Sequence, residues 1–212
     1  MVSFLQPQWK NTGLNKERFD QIVSYFVGKS VLDVGCAVGY KKDNWMHQMI
    51  REIAEKCKGI DIDQVSVKEI QEKGFDVIEG NASSFSLDEK FDVIHAGELI
   101  EHLDNFNGFL ESCKKHLRQD GKLILTTPNA HGFTYFLYAV TGGLRVNDEH
   151  TCWFCKHTLS TLLVRMGFKV EKIDYIKHSP KTGIRKVFSS LIRSVLPKDT
   201  RWNTLLVVAS VK

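Results

Sequence analysis

The stretch Gly97-Glu98-Leu99-Ile100-Glu101-His102 sets two carboxylates and an imidazole within five positions. Three chemistries suit such a set: metal ligation, acid–base work, or the charged opening of a helix. If a helix starts here, Glu98, Glu101 and His102 fall at i, i+3 and i+4 and share one face.

The elements that would position them read as alternating strands and helices. Ser30–Val34 (SVLDV) is a short buried-strand run, followed by a Gly-containing turn, Gly35–Gly39. Apolar residues at 45, 46, 49, 50, 53 and 54 predict an amphipathic helix over Trp45–Cys57. Lys58–Ile62 reads as a second strand, Gln64–Lys73 as a helix and Phe75–Ile78 as a third strand. Phe91–Ala96 is a fourth, and a helix is expected from about Glu98 or His102 to Leu117. Asp120-Gly121 stops it before a fifth strand, Lys122–Thr126. An aromatic-rich connection over 129–156 precedes a helix at Thr158–Met166 and two last runs, Phe168–Ile176 and Trp202–Val211. Strand–helix alternation calls for parallel pairing through right-handed crossovers, hence an α/β, doubly wound sheet with helices on both faces.

At 212 residues the chain suits one substantial core, so a single domain over 1–212 is expected. No apolar run approaches the roughly 18 residues of a membrane span, and the first residues lack a signal-peptide pattern. Five scattered cysteines fit a reducing, cytoplasmic setting better than a disulfide framework. The formal charge of +4 is uneven: residues 171–212 hold nine Lys/Arg against three Asp/Glu. Within that part, residues 183–196 carry an apolar helical stripe edged by Arg185, Lys186 and Arg193. Such a helix packs on the body or, alternatively, lies on a membrane surface as a peripheral contact. The modest basic excess, without an appended RNA-binding domain, disfavours nucleic acid as partner.

The turn Val31-Leu32-Asp33-Val34-Gly35-Cys36-Ala37-Val38-Gly39-Tyr40 lacks the G-x-G-x-x-G of dinucleotide sites and the Gly-Lys-Ser/Thr of a P-loop. Together with "GIDID" at 59–63, "EGNASSF" at 79–85, "FDVIHAGELIEHL" at 91–103, "GKLILTTPN" at 121–129 and "TLLVRMGFKV" at 161–170, it resembles the class I S-adenosylmethionine-dependent methyltransferases. The departures are Ala37 at the middle glycine of the first motif and Asn81 where the adenine-side Asp usually stands.

The resemblance implies a seven-stranded Rossmann-like sheet in the order 3-2-1-4-5-7-6, strand 7 antiparallel, and S-adenosyl-L-methionine as cofactor, leaving as S-adenosyl-L-homocysteine. It implies cofactor contacts from Asp33, Gly35, Cys36 and Gly39, from Asp61 (ribose hydroxyls) and Ile62, from Asn81 and Ala82 beside the adenine, and from Ala96. Cys36 by itself reads as a small packing residue. Glu-x-x-Glu-His also resembles the motif of quinone-biosynthesis O-methyltransferases and of RNA 2′-O-methyltransferases. In the RNA group a later histidine completes a metal site, and His150 stands in that place. On that basis Glu98, Glu101, His102 and His150 would hold Mg²⁺ or Mn²⁺, leaving about two octahedral positions for substrate hydroxyls. Without an ion, His102, His150 and Glu98 remain the acid–base candidates, with His131 a weaker one. Zinc on Cys152, Cys155, His150 and His157 is disfavoured, because eight crowded residues running into a helix seldom wrap one ion.

The activity implied is O-methylation of a small or lipid- or glycan-linked hydroxylated acceptor under a lid at 129–157. An RNA methyltransferase and a non-catalytic cofactor-binding scaffold are the alternatives.

Overall fold

The computed structural model describes residues 14–143, 146–177, 191 and 193–212. The stripe at 183–196 therefore lies largely outside the described residues. One seven-stranded sheet organises the chain, built from β1 (Ser30–Val34), β2 (Lys56–Asp61), β3 (Val77–Glu79), β4 (Phe91–Gly97), β5 (Leu117–Pro128), β6 (Phe168–Tyr175) and β7 (Thr204–Val211). Their order is 3-2-1-4-5-7-6, as expected. β1 pairs in parallel with β2 and β4, β2 with β3, and β4 with β5; β7 runs antiparallel between β5 and β6.

Burial on both faces explains why β1 reads as an unbroken run with every position inaccessible. On one face Leu32, Ile94, Ala96 and Leu125 meet Phe109 and Leu110 of α4 (Phe106–His116) and Leu159 and Leu163 of α6 (Lys156–Arg165). On the other, Val31 and Val93 pack with Ile22 of α1 (Leu14–Ile22) and with Met46 and Ile50 of α2 (Met46–Arg51). Val67 and Ile70 of α3 (Gln64–Glu72) close a third cluster around Trp45. Each large apolar side chain buried this way stabilises the fold by about 1.5–3 kcal/mol.

β5 starts at Leu117, directly after the helix, so Asp120-Gly121 lies within the strand and not before it, and three further elements differ from the sequence expectation. The helix from Trp45 stops at Arg51 rather than Cys57, because Cys57 is drawn into β2 opposite Val31. No single helix runs from Glu98 to Leu117. Glu98 takes a left-handed φ of 54°, Ile100–His102 is one 3-10 turn, and Leu103 is extended. α4 then begins afresh, its cap Asn105 accepting the Gly108 N–H at 2.9 Å. Within the connection, Phe133–Val140 forms a helix, α5, that buries none of its residues.

The order of the strands reverses between β1 and β4, so the crevice at their carboxyl ends is where a ligand belongs. Gly59, on β2 beneath that crevice, leaves the space that His47 and Cys36 fill. A Cβ there would sit 2.5 Å from Cys36 Sγ and 2.9 Å from His47 Cε1 and Val77 Cγ2. Gly59→Ala should therefore destabilise the chain by about 1–3 kcal/mol in urea unfolding. An unchanged midpoint would show that the packing under the crevice is slack.

Candidate active site

The turn after β1 is shaped by two left-handed glycines, Gly35 (φ 78°) and Gly39 (φ 85°). Ala37 is not among the residues with positive φ, so alanine is tolerated at that place. The N–H groups of Gly35 and Cys36 donate to the Ile60 carbonyl at 2.8 and 3.3 Å. Asp61 completes the tie: its carboxylate accepts the Ala37 N–H at 2.7 Å and the Asp63 N–H at 3.0 Å. The Cys36 thiol is buried, and its pKa is pushed far up by that burial and then by the charges of Asp33 and Asp61. It is a packing residue.

Beneath the turn, Asp33 is buried between two imidazoles. His95 Nδ1 lies 2.7 Å from Asp33 Oδ1 and His47 Nδ1 lies 3.0 Å from Oδ2. A carboxylate only accepts, so both ring nitrogens donate. Burial alone would raise the Asp33 carboxyl, but the hydrogen bonds from His47 and His95 hold it well below the usual range.

Above it opens a cavity of about 490 Å³ lined by Arg18, Asp33, Gly35, Cys36, His95, Gly97, Glu98, Glu101, His102, Tyr135 and His150, among others. The broken chain after β4 sends the two glutamates to different partners. Glu98 turns to Arg18 of α1, whose Nη1 lies 3.3 Å from its Oε1. Glu101, 1% exposed, accepts from the Thr127 hydroxyl at 2.8 Å through Oε2, while its Oε1 has no hydrogen-bond partner. Burial, and then the Glu98 charge, raise the Glu101 carboxyl to about 8.

His150 reaches this group because its neighbour Thr151 clasps the 3-10 turn. The Thr151 N–H donates to the Glu101 carbonyl at 2.9 Å, and its hydroxyl to the Leu103 carbonyl at 2.6 Å. The His102 and His150 rings then meet edge to face at 4.7 Å. His150 Nδ1 is buried without a hydrogen-bond partner, and burial, followed by His102, lowers its pKa. One ligand atom each from Glu101, His102 and His150 lies within 4.8 Å of the others. Glu98 stands outside that trio, so three of the four expected ligands converge. Among the described residues no such cluster includes Cys152 or Cys155.

Other expected residues lie apart from the cavity wall. Asp61, Ile62, Asn81 and Ala82 stand along the carboxyl ends of β2 and β3, with Ile62 70% exposed. The Asn81 Oδ1 already accepts the Ser83 N–H at 2.8 Å. Gly39 sits near Lys42 and Asn15, and the Ala96 side chain packs in the core, so only its backbone can face a ligand. His131 lines a second, apolar cavity of about 610 Å³ with Phe133, Tyr135, Phe136, Trp153 and Leu196. Tyr135 and Trp153, in edge contact at 4.7 Å, wall both cavities. Sequence reasoning missed Arg18, His95 and Tyr135. Arg18 lies on a helix whose apolar spacing is sparse, and His95 looks like any strand residue.

A raised carboxyl carries a sign. The folded chain holds the Glu101 proton more tightly than the unfolded one, so its contribution to stability is present at low pH and is lost as pH rises through about 8. In chelating buffer, Glu101→Gln should melt with the parent near about pH 5 and several degrees above it near about pH 9. A gap that does not change with pH would contradict the assigned burial of that charge.

Residues 11–173 match the sequence profile of a family described as a methyltransferase domain. A probable S-adenosylmethionine-dependent methyltransferase of Mycolicibacterium smegmatis is 28% identical over 156 residues, covering 72% of this chain and 57% of the relative. The rat mitochondrial ubiquinone biosynthesis O-methyltransferase is 27% identical over 173 residues, covering 74% of this chain and 49% of the relative. The chain thus spans about half the length of the curated relatives it matches. Among solved structures, a SAM-dependent methyltransferase from Archaeoglobus fulgidus superposes with a TM-score of 0.70 at 20% identity, covering 92% of both chains. The magnesium protoporphyrin IX methyltransferase of Synechocystis, solved with bound SAH, gives 0.66 at 15% identity over 100% of this chain and 89% of the other. Those likenesses carry the fold, and the profile match carries the family: this chain belongs to the methyltransferase-domain family.

Proposed function

We propose that the chain, read as one domain with residues 129–157 as a lid, transfers the methyl group of S-adenosylmethionine to a hydroxyl on an apolar acceptor. The observation that carries this is the Glu101–His102–His150 cluster in a cavity shared with the Gly35 turn and walled from a large apolar cavity by Tyr135 and Trp153. The rat relative's name, an O-methyltransferase of ubiquinone biosynthesis, supports a hydroxyl as acceptor.

In this reading Asp61 receives the ribose hydroxyls with the lone pairs its two backbone bonds leave free. Ile62 covers one adenine face, and Asn81 and Ala82 border its edge. The Gly35, Cys36 and Gly39 backbone and that of Ala96 face the amino-acid end. Arg18, already among carboxylates, pairs with the cofactor's α-carboxylate. Asp33 fixes the strand below and does not need to touch the ligand.

The sulfonium makes its methyl carbon an electrophile, so the protein must align the oxygen in line and remove its proton. The S–CH₃ bond breaks as the O–CH₃ bond forms, leaving S-adenosylhomocysteine and a methyl ether. Glu101 suits the proton: one oxygen is held by Thr127, the other is free, and its carboxyl titrates about 8. The neutral His150 is the second acceptor at hand.

Glu101, His102 and His150 also fit a divalent cation. A free Glu101 oxygen, an unpartnered His150 nitrogen and a carboxyl strained by Glu98 are what a cation would relieve. Bound there, Mg²⁺ or Mn²⁺ would lower the pKa of a coordinated acceptor hydroxyl. Glu98, in its Arg18 pair, would support that site from beside it. The apolar cavity takes the acceptor's body, and the exposed Phe136, Leu137 and Val140 of α5 suit an acceptor held in lipid. Among the described residues, no helix is long and apolar enough to cross a membrane.

Calorimetry with S-adenosylhomocysteine and transfer of labelled methyl to alkylated phenols and catechols test this. Asp61→Ala should weaken cofactor binding about tenfold or more. Glu101→Gln should leave that affinity and remove turnover by about 10²-fold or more. No binding by the parent chain would overturn the cofactor reading, and binding without turnover of any acceptor would leave the scaffold alternative standing. Turnover that survives exhaustive chelation would exclude the ion.

A further inference from the structure

One polar atom in the cavity is used by none of the roles above. His95 is 2% exposed, and its Nδ1 is committed to Asp33 at 2.7 Å, which fixes the proton on that nitrogen. Nε2 is then a bare lone pair, buried, with no hydrogen-bond partner. A buried unmade acceptor is costly and rare, so its retention asks for an occupant.

The surroundings say where that occupant sits. Asp33 and His95 are register partners on β1 and β4, directly beneath the crevice where the strand order reverses. His95 and Gly97 both line the cavity. A Cβ on Gly97 would come within 3.0 Å of His95 Nε2 and 3.3 Å of the Thr126 hydroxyl. The absence of a side chain at 97 is therefore what leaves a space open over Nε2. Gly97 does not have positive φ, so conformational need does not explain the glycine. Arg18, which donates to Thr126 at 3.3 Å, brings a fixed cation to the same corner. The corner thus holds a cation, the Glu98 carboxylate beside it and the bare Nε2, a set that a zwitterion can bridge. The carboxylate of an α-amino acid goes to the arginine and its ammonium to the lone pair.

We propose that His95 Nε2 is the acceptor for the α-ammonium of the cofactor's amino-acid end, with its tautomer set by Asp33 and its access kept open by Gly97. This deepens the methyltransferase reading and rests on it. His47 serves the arrangement from behind: by donating to the other Asp33 oxygen at 3.0 Å, it leaves Oδ1 aligned on His95.

The test is a calorimetric cycle between protein and ligand. The ligands are S-adenosylhomocysteine, its des-amino analogue, and 5′-methylthioadenosine, which lacks the amino-acid end altogether. The proteins are the parent, His95→Asn and Gly97→Ala. Asparagine keeps a donor for Asp33 but has nothing at the Nε2 position, so the buried carboxylate stays bonded. Alanine at 97 keeps the imidazole and fills the space over it. Both variants should bind S-adenosylhomocysteine about ten- to a hundredfold more weakly, and the other two ligands within about twofold of the parent. Removing the amine from the ligand and Nε2 from the protein should cost no more together than either alone. Equal losses for all three ligands, or no loss for S-adenosylhomocysteine, would overturn the assignment while leaving the methyltransferase reading intact. A parent chain that binds none of them would overturn both.

Discussion

A carboxylate buried at the centre of a sheet has to be held by donors, and Asp33 is held by two. His47 comes from α2 and His95 from β4, so one anion joins three elements at the place where the strand order reverses. Much of the nearby sequence follows from making room for those rings. Gly59 clears space for His47, Gly97 for His95, and Trp45 seals the side by donating to the Cys36 carbonyl at 2.6 Å. Asp61 clamps the turn to β2 by accepting the Ala37 N–H, next to the Gly35 and Cys36 N–H groups bonded to the Ile60 carbonyl. Small residues near the crevice are thus steric consequences of a polar anchor as much as openings for a ligand.

The second constraint is the sharp break after β4. A left-handed Glu98 turns its carboxylate toward α1, and the short 3-10 turn turns Glu101 inward, next to the 129–157 connection. Two like charges in one partly buried pocket would ordinarily be selected against. Here one is neutralised by Arg18 and the other is left with a raised pKa beside two imidazoles. Perturbed groups of this kind gather where chemistry is done, because stability alone gives no reason to keep them. The clasp of Thr151 on the Glu101 carbonyl ties the 129–157 connection to the 3-10 turn, so the two are held as one unit.

The strands and their order were legible in the sequence because buried parallel strands leave compact apolar runs, and because the motifs follow one another in a known order. The turn glycines and Asp61 were legible for the same reason. What was lost are features decided by tertiary context. The i, i+3, i+4 spacing of Glu98, Glu101 and His102 reads as one helical face, yet a single left-handed residue at 98 removes one member of the set. Arg18 stands 80 positions from Glu98 on a helix with few apolar residues, so no local pattern joins them. His95 occupies an ordinary strand position, and only the register of β1 against β4 places it opposite Asp33. Helix α5 carries aromatic or aliphatic side chains at all but one of its positions, so periodicity gives little to read there.

The central claim is that the crevice above Asp33 holds the cofactor with its sulfur turned toward Glu101, His102 and His150. A crystal structure of the chain with S-adenosylhomocysteine tests it most directly. The account predicts the ribose hydroxyls on Asp61, the α-carboxylate on Arg18, and the sulfur facing the Glu101 carboxylate across an open space for the acceptor. Cofactor bound with its sulfur turned away from that cluster, or seated outside the crevice, would contradict it.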